Sequence, residues 1–92
     1  MLFEWGVRKA ARNVVKHGVP FEYAARVFLD PYRLTSKDTR RDYAEERWLV
    51  LGKIEKRIFA VAYTPRGPVI RLISARKANE REQRKYDETV ST

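Results

Sequence analysis

Between Arg47 and Asn79 the chain places eight cations against one acid: Arg47, Lys53, Lys56, Arg57, Arg66, Arg71, Arg76 and Lys77 against Glu55. That is about seven of its net eight positive charges. Such a concentration points at a polyanion, although solvated strand cations that keep sheet edges apart would use the same residue types. Arg and Lys in number, one His and a few Glu suit one reaction, metal-free cleavage of RNA, in which the substrate's own 2′-hydroxyl is the nucleophile. The protein then has to take one proton, deliver another and stabilise the charge that gathers on phosphorus. Arg matches that charge because its fork holds two phosphate oxygens at once.

Individual candidates carry a functional and a plainer reading. His17 is the one side chain whose ordinary pKa lies near neutrality, and it reads equally as a helix-end histidine bonded to a last-turn carbonyl. Glu45 and Glu46 precede the first long strand, as solvated charges or partners of Arg47 before they read as bases. Arg66 sits in the turn Pro65-Arg66-Gly67-Pro68, where an arginine is commonly just solvated. Arg76 and Lys77 stand where a strand gives way to a helix, whose first N–H groups would join them in an anion site. Several classes are set aside. The four glycines are scattered, so there is no phosphate loop; one His makes a paired-histidine zinc hydrolase improbable; Ser74 has no evident base beside it. Without Cys there is no thiolate nucleophile, disulfide framework or Cys-based zinc site. No cofactor and no metal are expected.

The elements that must position these residues read as an α+β domain spanning residues 1–92. Arg47 to Lys77 shows three apolar runs broken at Gly52-Lys53 and at Pro65–Pro68, an antiparallel meander. Its near-continuous apolar character predicts cover on both faces. Val7 to Lys16 reads as a helix with Val7, Ala11, Val14 and Val15 on its apolar stripe, closed by Gly18 in the left-handed conformation. A second helix follows Pro20 from Phe21 to Phe28, with Phe21, Ala24, Ala25 and Phe28 inward, and ends at Asp30-Pro31. Phe3-Glu4-Trp5 reads as an edge strand or anchor, Tyr32 to Thr35 as a further strand, and Ser36 to Ala44 as a surface loop. Ala78 to Glu88 reads as a helix supported by Glu80 and Arg84 four apart. Only Ala78 and Tyr86 are apolar in it, too few to hold it firmly on its own domain, and Thr89 to Thr92 read as frayed. No run approaches the roughly 20 apolar residues of a membrane span, and an acid stands near the N-terminus where a secretory signal carries positive charge. A soluble, cytoplasmic protein is therefore expected.

Taken together, Phe3-Glu4-Trp5, Lys9, Asn13, Lys16-His17-Gly18-Val19, Phe21, Ala24, Val27-Phe28, Asp30-Pro31, Glu46-Arg47 before Gly52, Thr64 and Arg66, and the run Arg71 to Ala78 with Glu82 and Tyr86 resemble the BrnT family of toxins from BrnT–BrnA type II toxin–antitoxin modules. The resemblance spans nearly the whole chain in order, and the Lys16–Val19 and Ile73–Ala78 pieces together are its specific part. One departure is Gly6, where the family usually has Asp. Asp there reads as a helix N-cap, and Gly substitutes at a cost of a few tenths of a kcal/mol.

The resemblance implies a RelE-like fold, with two N-terminal helices packed on an antiparallel sheet of three to four strands and closed by a C-terminal helix. It implies a ribonuclease that halts translation and a BrnA-like antitoxin that masks it, with DNA contacted only through that antitoxin. Carried over residue by residue, it points to Lys16, His17, Glu46, Arg76 and Lys77 for catalysis, and to Arg47, Arg66, Arg71, Arg76 and Lys77 for RNA. The antitoxin is expected over Arg71, Arg76 or Arg81. Two rival readings remain: a nucleic-acid-binding module without catalysis, and a toxin remnant that only binds its antitoxin.

Overall fold

Five strands form one sheet in the order β1-β5-β4-β3-β2: β1 Leu2–Glu4, β2 Leu34–Lys37, β3 Trp48–Ile54, β4 Arg57–Arg66 and β5 Val69–Lys77. The computed structural model describes residues 1–40 and 44–91. The α+β class holds, with a wider sheet than the three to four strands expected. The meander supplies β3, β4 and β5, antiparallel throughout, while β2 adds antiparallel to β3 and β1 adds parallel to β5. Of the expected loop Ser36 to Ala44, Ser36 and Lys37 belong to β2, and residues 41–43 lie outside the described residues.

The first turn of the meander sits later than the sequence break suggests. Gly52 is not a turn residue but lies inside β3, paired with Phe59. A Cβ there would stand 2.7 Å from Cβ of Val27 and 2.9 Å from its carbonyl oxygen. The glycine therefore serves close approach of a neighbouring backbone rather than chain reversal. The reversal falls at Glu55-Lys56, where Glu55 takes a left-handed φ of 58°. Its carboxylate accepts from the Tyr23 hydroxyl at 3.2 Å and faces Arg26 at 3.6 Å, holding a conformation uncommon for a side-chain-bearing residue. The second turn narrows to Gly67-Pro68, Gly67 at φ 58°, with Pro65 and Arg66 ending β4.

One face of the sheet packs against the N-terminal helices. α1 spans Val7–His17 and closes at Gly18, φ 72°, whose N–H donates to the Val14 carbonyl. The expected second helix is α2 over Phe21–Ala24, then tightens to a 3-10 turn over Ala25–Leu29 before Asp30-Pro31. Phe21, Ala24, Val27 and Phe28 are buried with Val50, Val61 and Leu72 into the main core, so Val27 rather than Ala25 lies at the centre. The expected apolar stripe of α1 points the other way: Val7 is 82% and Val15 89% exposed. The reason lies in what α1 packs against. It runs along the edge of β5 beyond the three residues of β1, where strand backbone needs partners. Asn13, buried, donates its amide to the carbonyls of Ala75 and Val19 and accepts from the N–H of Ala75.

The opposite face carries α3, Glu80–Ser91, which starts two residues later and ends three later than expected, so that Thr89 to Ser91, expected to fray, belong to the helix. Ala78 and Tyr86 bury against Leu51, Ile58 and Ala60. Polar tethers supply what the thin apolar surface does not. The Tyr86 hydroxyl donates to the buried Asp30 carboxylate, which also accepts from the backbone N–H of Lys53 at 2.8 Å and of Tyr32 at 2.9 Å. Burial pushes the Asp30 pKa up, but these hydrogen bonds outweigh it and hold the carboxyl below its ordinary range. On Tyr86, burial and the same carboxylate push the phenol far up. No described helix is long and apolar enough to cross a membrane.

Candidate nucleic-acid interface

α1 and β5 run side by side in the same direction, so their charged residues meet in two groups. At the start of β5, Arg71 bonds the Glu4 carboxylate of β1 at 2.6 Å, and Arg66 reaches Glu45 at 3.3 Å and Glu4 at 4.0 Å. Lys9 on α1 faces this group. Partial burial, then the guanidinium groups of Arg47, Arg71 and Arg12, lower its pKa. Lys9 and Arg12 were not among the candidates above. Their signal is the recurrence Lys9, Arg12, Lys16 along one side of α1, which becomes readable only once the helix is known to lie against β5.

At the far end of β5, Arg76 makes a two-pronged bond to Glu82 at 2.7 and 3.0 Å. The same carboxylate accepts from the backbone N–H of Asn79, while the Asn79 side chain accepts from that of Glu82, a reciprocal capping box at the start of α3. The helix N-terminus expected to hold an anion with Arg76 and Lys77 thus holds the chain's own carboxylate. Burial pushes the Glu82 pKa up, but the bond from Arg76 and the Asn79 N–H bring it below the ordinary value. His17, at the end of α1, is half-buried beside this group. Burial first, then the charges of Lys16 and Arg76, lower its pKa, so at neutral pH the imidazole is mostly uncharged and able to accept a proton.

The structure therefore brings Lys16, His17 and Arg76 together, and separately Arg47, Arg66, Arg71 and Lys9. Arg71 and Arg76 are five residues apart on one strand, about 17 Å. Glu46 joins neither His17 nor Arg76. It lies before β3 at the opposite end of the sheet, exposed and 3.4 Å from Lys37. Lys77, next to Arg76 on the strand, points to the opposite face and is exposed. Arg81 is exposed on α3. Among the described residues no three His, Cys, Asp or Glu side chains gather as they would around a metal ion. The arrangement offers one neutral base beside one fixed guanidinium, and a run of cations along α1 and β5.

Residues 5–82 match the family model described as the ribonuclease toxin, BrnT, of type II toxin–antitoxin system. No curated protein matches the chain.

Proposed function

The chain belongs to the BrnT family of ribonuclease toxins of type II toxin–antitoxin systems, and from that premise we propose that it cleaves RNA without a metal, through the substrate's 2′-hydroxyl. The observation that carries the reading is a His17 held mostly neutral beside an Arg76 guanidinium fixed by Glu82. His17 takes the 2′-hydroxyl proton as the 2′-oxygen bonds to phosphorus. Arg76 stabilises the added negative charge, the bond from phosphorus to the 5′-oxygen breaks, and that leaving oxygen takes a proton from water. The products are a 2′,3′-cyclic phosphate and a 5′-hydroxyl. Arg47, Arg66, Arg71, Lys16 and Lys77 serve as anchors for flanking phosphates rather than as reacting groups. In the cytoplasm such cleavage halts translation, and a BrnA-like antitoxin laid over Arg71, Arg76 or Arg81 restrains it, with DNA reached only through that antitoxin.

RNA incubated with purified protein in EDTA should be cut to cyclic-phosphate ends, and Arg76→Ala should lower the rate by about 10²–10³. Activity lost on chelation and restored by Mg²⁺, or an Arg76→Ala variant that cuts at full rate, overturns the reading.

A further inference from the structure

The cations of the sheet fall into two kinds. Arg66, Arg71 and Arg76 are each paired with a carboxylate of the chain itself: Glu45 and Glu4, Glu4, and Glu82. Lys56 and Arg57, at the tip of the β3–β4 hairpin, and Lys77, at the end of β5, are exposed, and among the described residues none of the three forms an ion pair. A phosphate approaching Arg71 has to displace Glu4; one approaching Lys56 displaces only water. The nearest acid of the hairpin, Glu55, is already engaged by Tyr23 and Arg26.

The three also stand together. Arg57 opens β4 and Lys77 pairs with Phe59 two residues further on, so hairpin tip and strand end form one ridge. A cleft lies on either side. One of about 400 Å³ is walled by Gly18, Val19, Tyr23 and Phe59; the other, of about 420 Å³, by Lys53, Ala78, Gln83 and Asp87. Both are lined by Lys56, Arg57 and Lys77. The first cleft begins at Gly18, directly after His17. The ridge is thus contiguous with the end of α1 that carries His17, although Lys77 and Arg76 point to opposite faces of β5.

We propose that the Lys56–Arg57–Lys77 ridge is the main anchor for the phosphate backbone of a single RNA strand, which passes from it to His17 at the end of α1. The inference rests on the ribonuclease reading above and adds where the strand is held. Contiguity with His17 favours nucleic acid over an acidic protein segment as the occupant, because an anchor next to the reacting phosphate fixes its position. The self-paired arginines at the other end of β5 are then secondary contacts.

The test measures binding of a 2′-O-methyl oligouridylate, which lacks the attacking hydroxyl, by fluorescence anisotropy across a salt series. The full-length wild type is compared with the triple variant Lys56→Ala, Arg57→Ala, Lys77→Ala. A second triple variant, Arg8→Ala, Arg84→Ala, Lys85→Ala, loses the same charge from exposed positions outside the ridge. Each phosphate contact on a single strand contributes about 0.7 to the slope of log K against log salt. Removing the ridge should therefore flatten that slope by about 2 and weaken binding more than tenfold, while the second triple stays near wild type. Equal effects of the two triples would show net charge rather than a site. A ridge variant that binds like wild type while wild type cuts RNA overturns the anchor and leaves the ribonuclease reading standing. A wild type that neither cuts nor binds overturns both. Unchanged oligonucleotide binding with lost neutralisation by the antitoxin gives the ridge to a protein partner, and the proposal fails.

Discussion

The two faces of the sheet are held by different physics. Under α1, α2 and the 3-10 turn lies a dry layer in which Phe21, Ala24, Val27, Val50 and Val61 are wholly removed from water. Under α3 the apolar cluster is small, and the helix is fixed by Tyr86 on Asp30 and by Glu82 on Arg76. The dry face specifies the fold; the charged face lets a helix sit over a cationic strand with its own acids as counterions. One consequence is that α3 should respond to pH and to loss of a single hydrogen bond, whereas the dry face should not.

The largest effect is expected where burial is complete. Phe21→Ala should cost about 3–5 kcal/mol and unfold the whole domain together, read as a lower urea midpoint shared by fluorescence and circular dichroism. Separate transitions for sheet and helices would break the idea that this layer is the common core. A middle-sized effect belongs to Tyr86→Phe, which leaves Asp30 with two backbone donors and should cost about 1–3 kcal/mol. Hydrogen exchange should show that cost concentrated in α3; uniform loss across β4 as well would erase the distinction between the faces.

The smallest effect is the acid response. Asp30 and Glu82 both sit below their ordinary pKa, so each stabilises the fold above the ordinary carboxylate range. That stabilisation fades as pH falls through the range and through the lower folded values. Amides of α3 should therefore lose protection on acidification before those of β4, and Tyr86→Phe should reduce the pH dependence. Simultaneous loss in both elements would count against it.

What the sequence disclosed was local. Gly18 after Lys16-His17 announced the left-handed close of α1, Asp30-Pro31 ended the second helical segment, and the charged meander became β3 to β5. What it concealed was relational. The valines of α1 have the spacing of a core stripe, yet the helix lies beside a strand edge, so its inward contact is the amide of Asn13 on Ala75, 62 residues away. Gly52 looked like a turn because its real cause, the backbone of Val27, is distant in sequence. Tyr86 looked like too little to hold a helix because its partner Asp30 is 56 residues away. Among the site residues, adjacency in sequence misled at Arg76 and Lys77, which a strand sends to opposite faces. Of the acids that occupy the arginines, Glu82 had a local signal, the capping-box spacing from Asn79, whereas Glu4 and Glu45 had none.

The outer strands bear on self-association. β1 offers only three residues and β2 only four, and the stretch of β5 that β1 leaves uncovered has its Ala75 backbone groups filled by Asn13. A second copy seeking to extend the sheet finds no long open edge among the described residues, and the exposed Lys37 at the end of β2 discourages it further. Joining by continuous strand addition is thereby disfavoured, so a protein carrying this much β-structure and exposed valine can accumulate beside its inhibitor without polymerising through its edges.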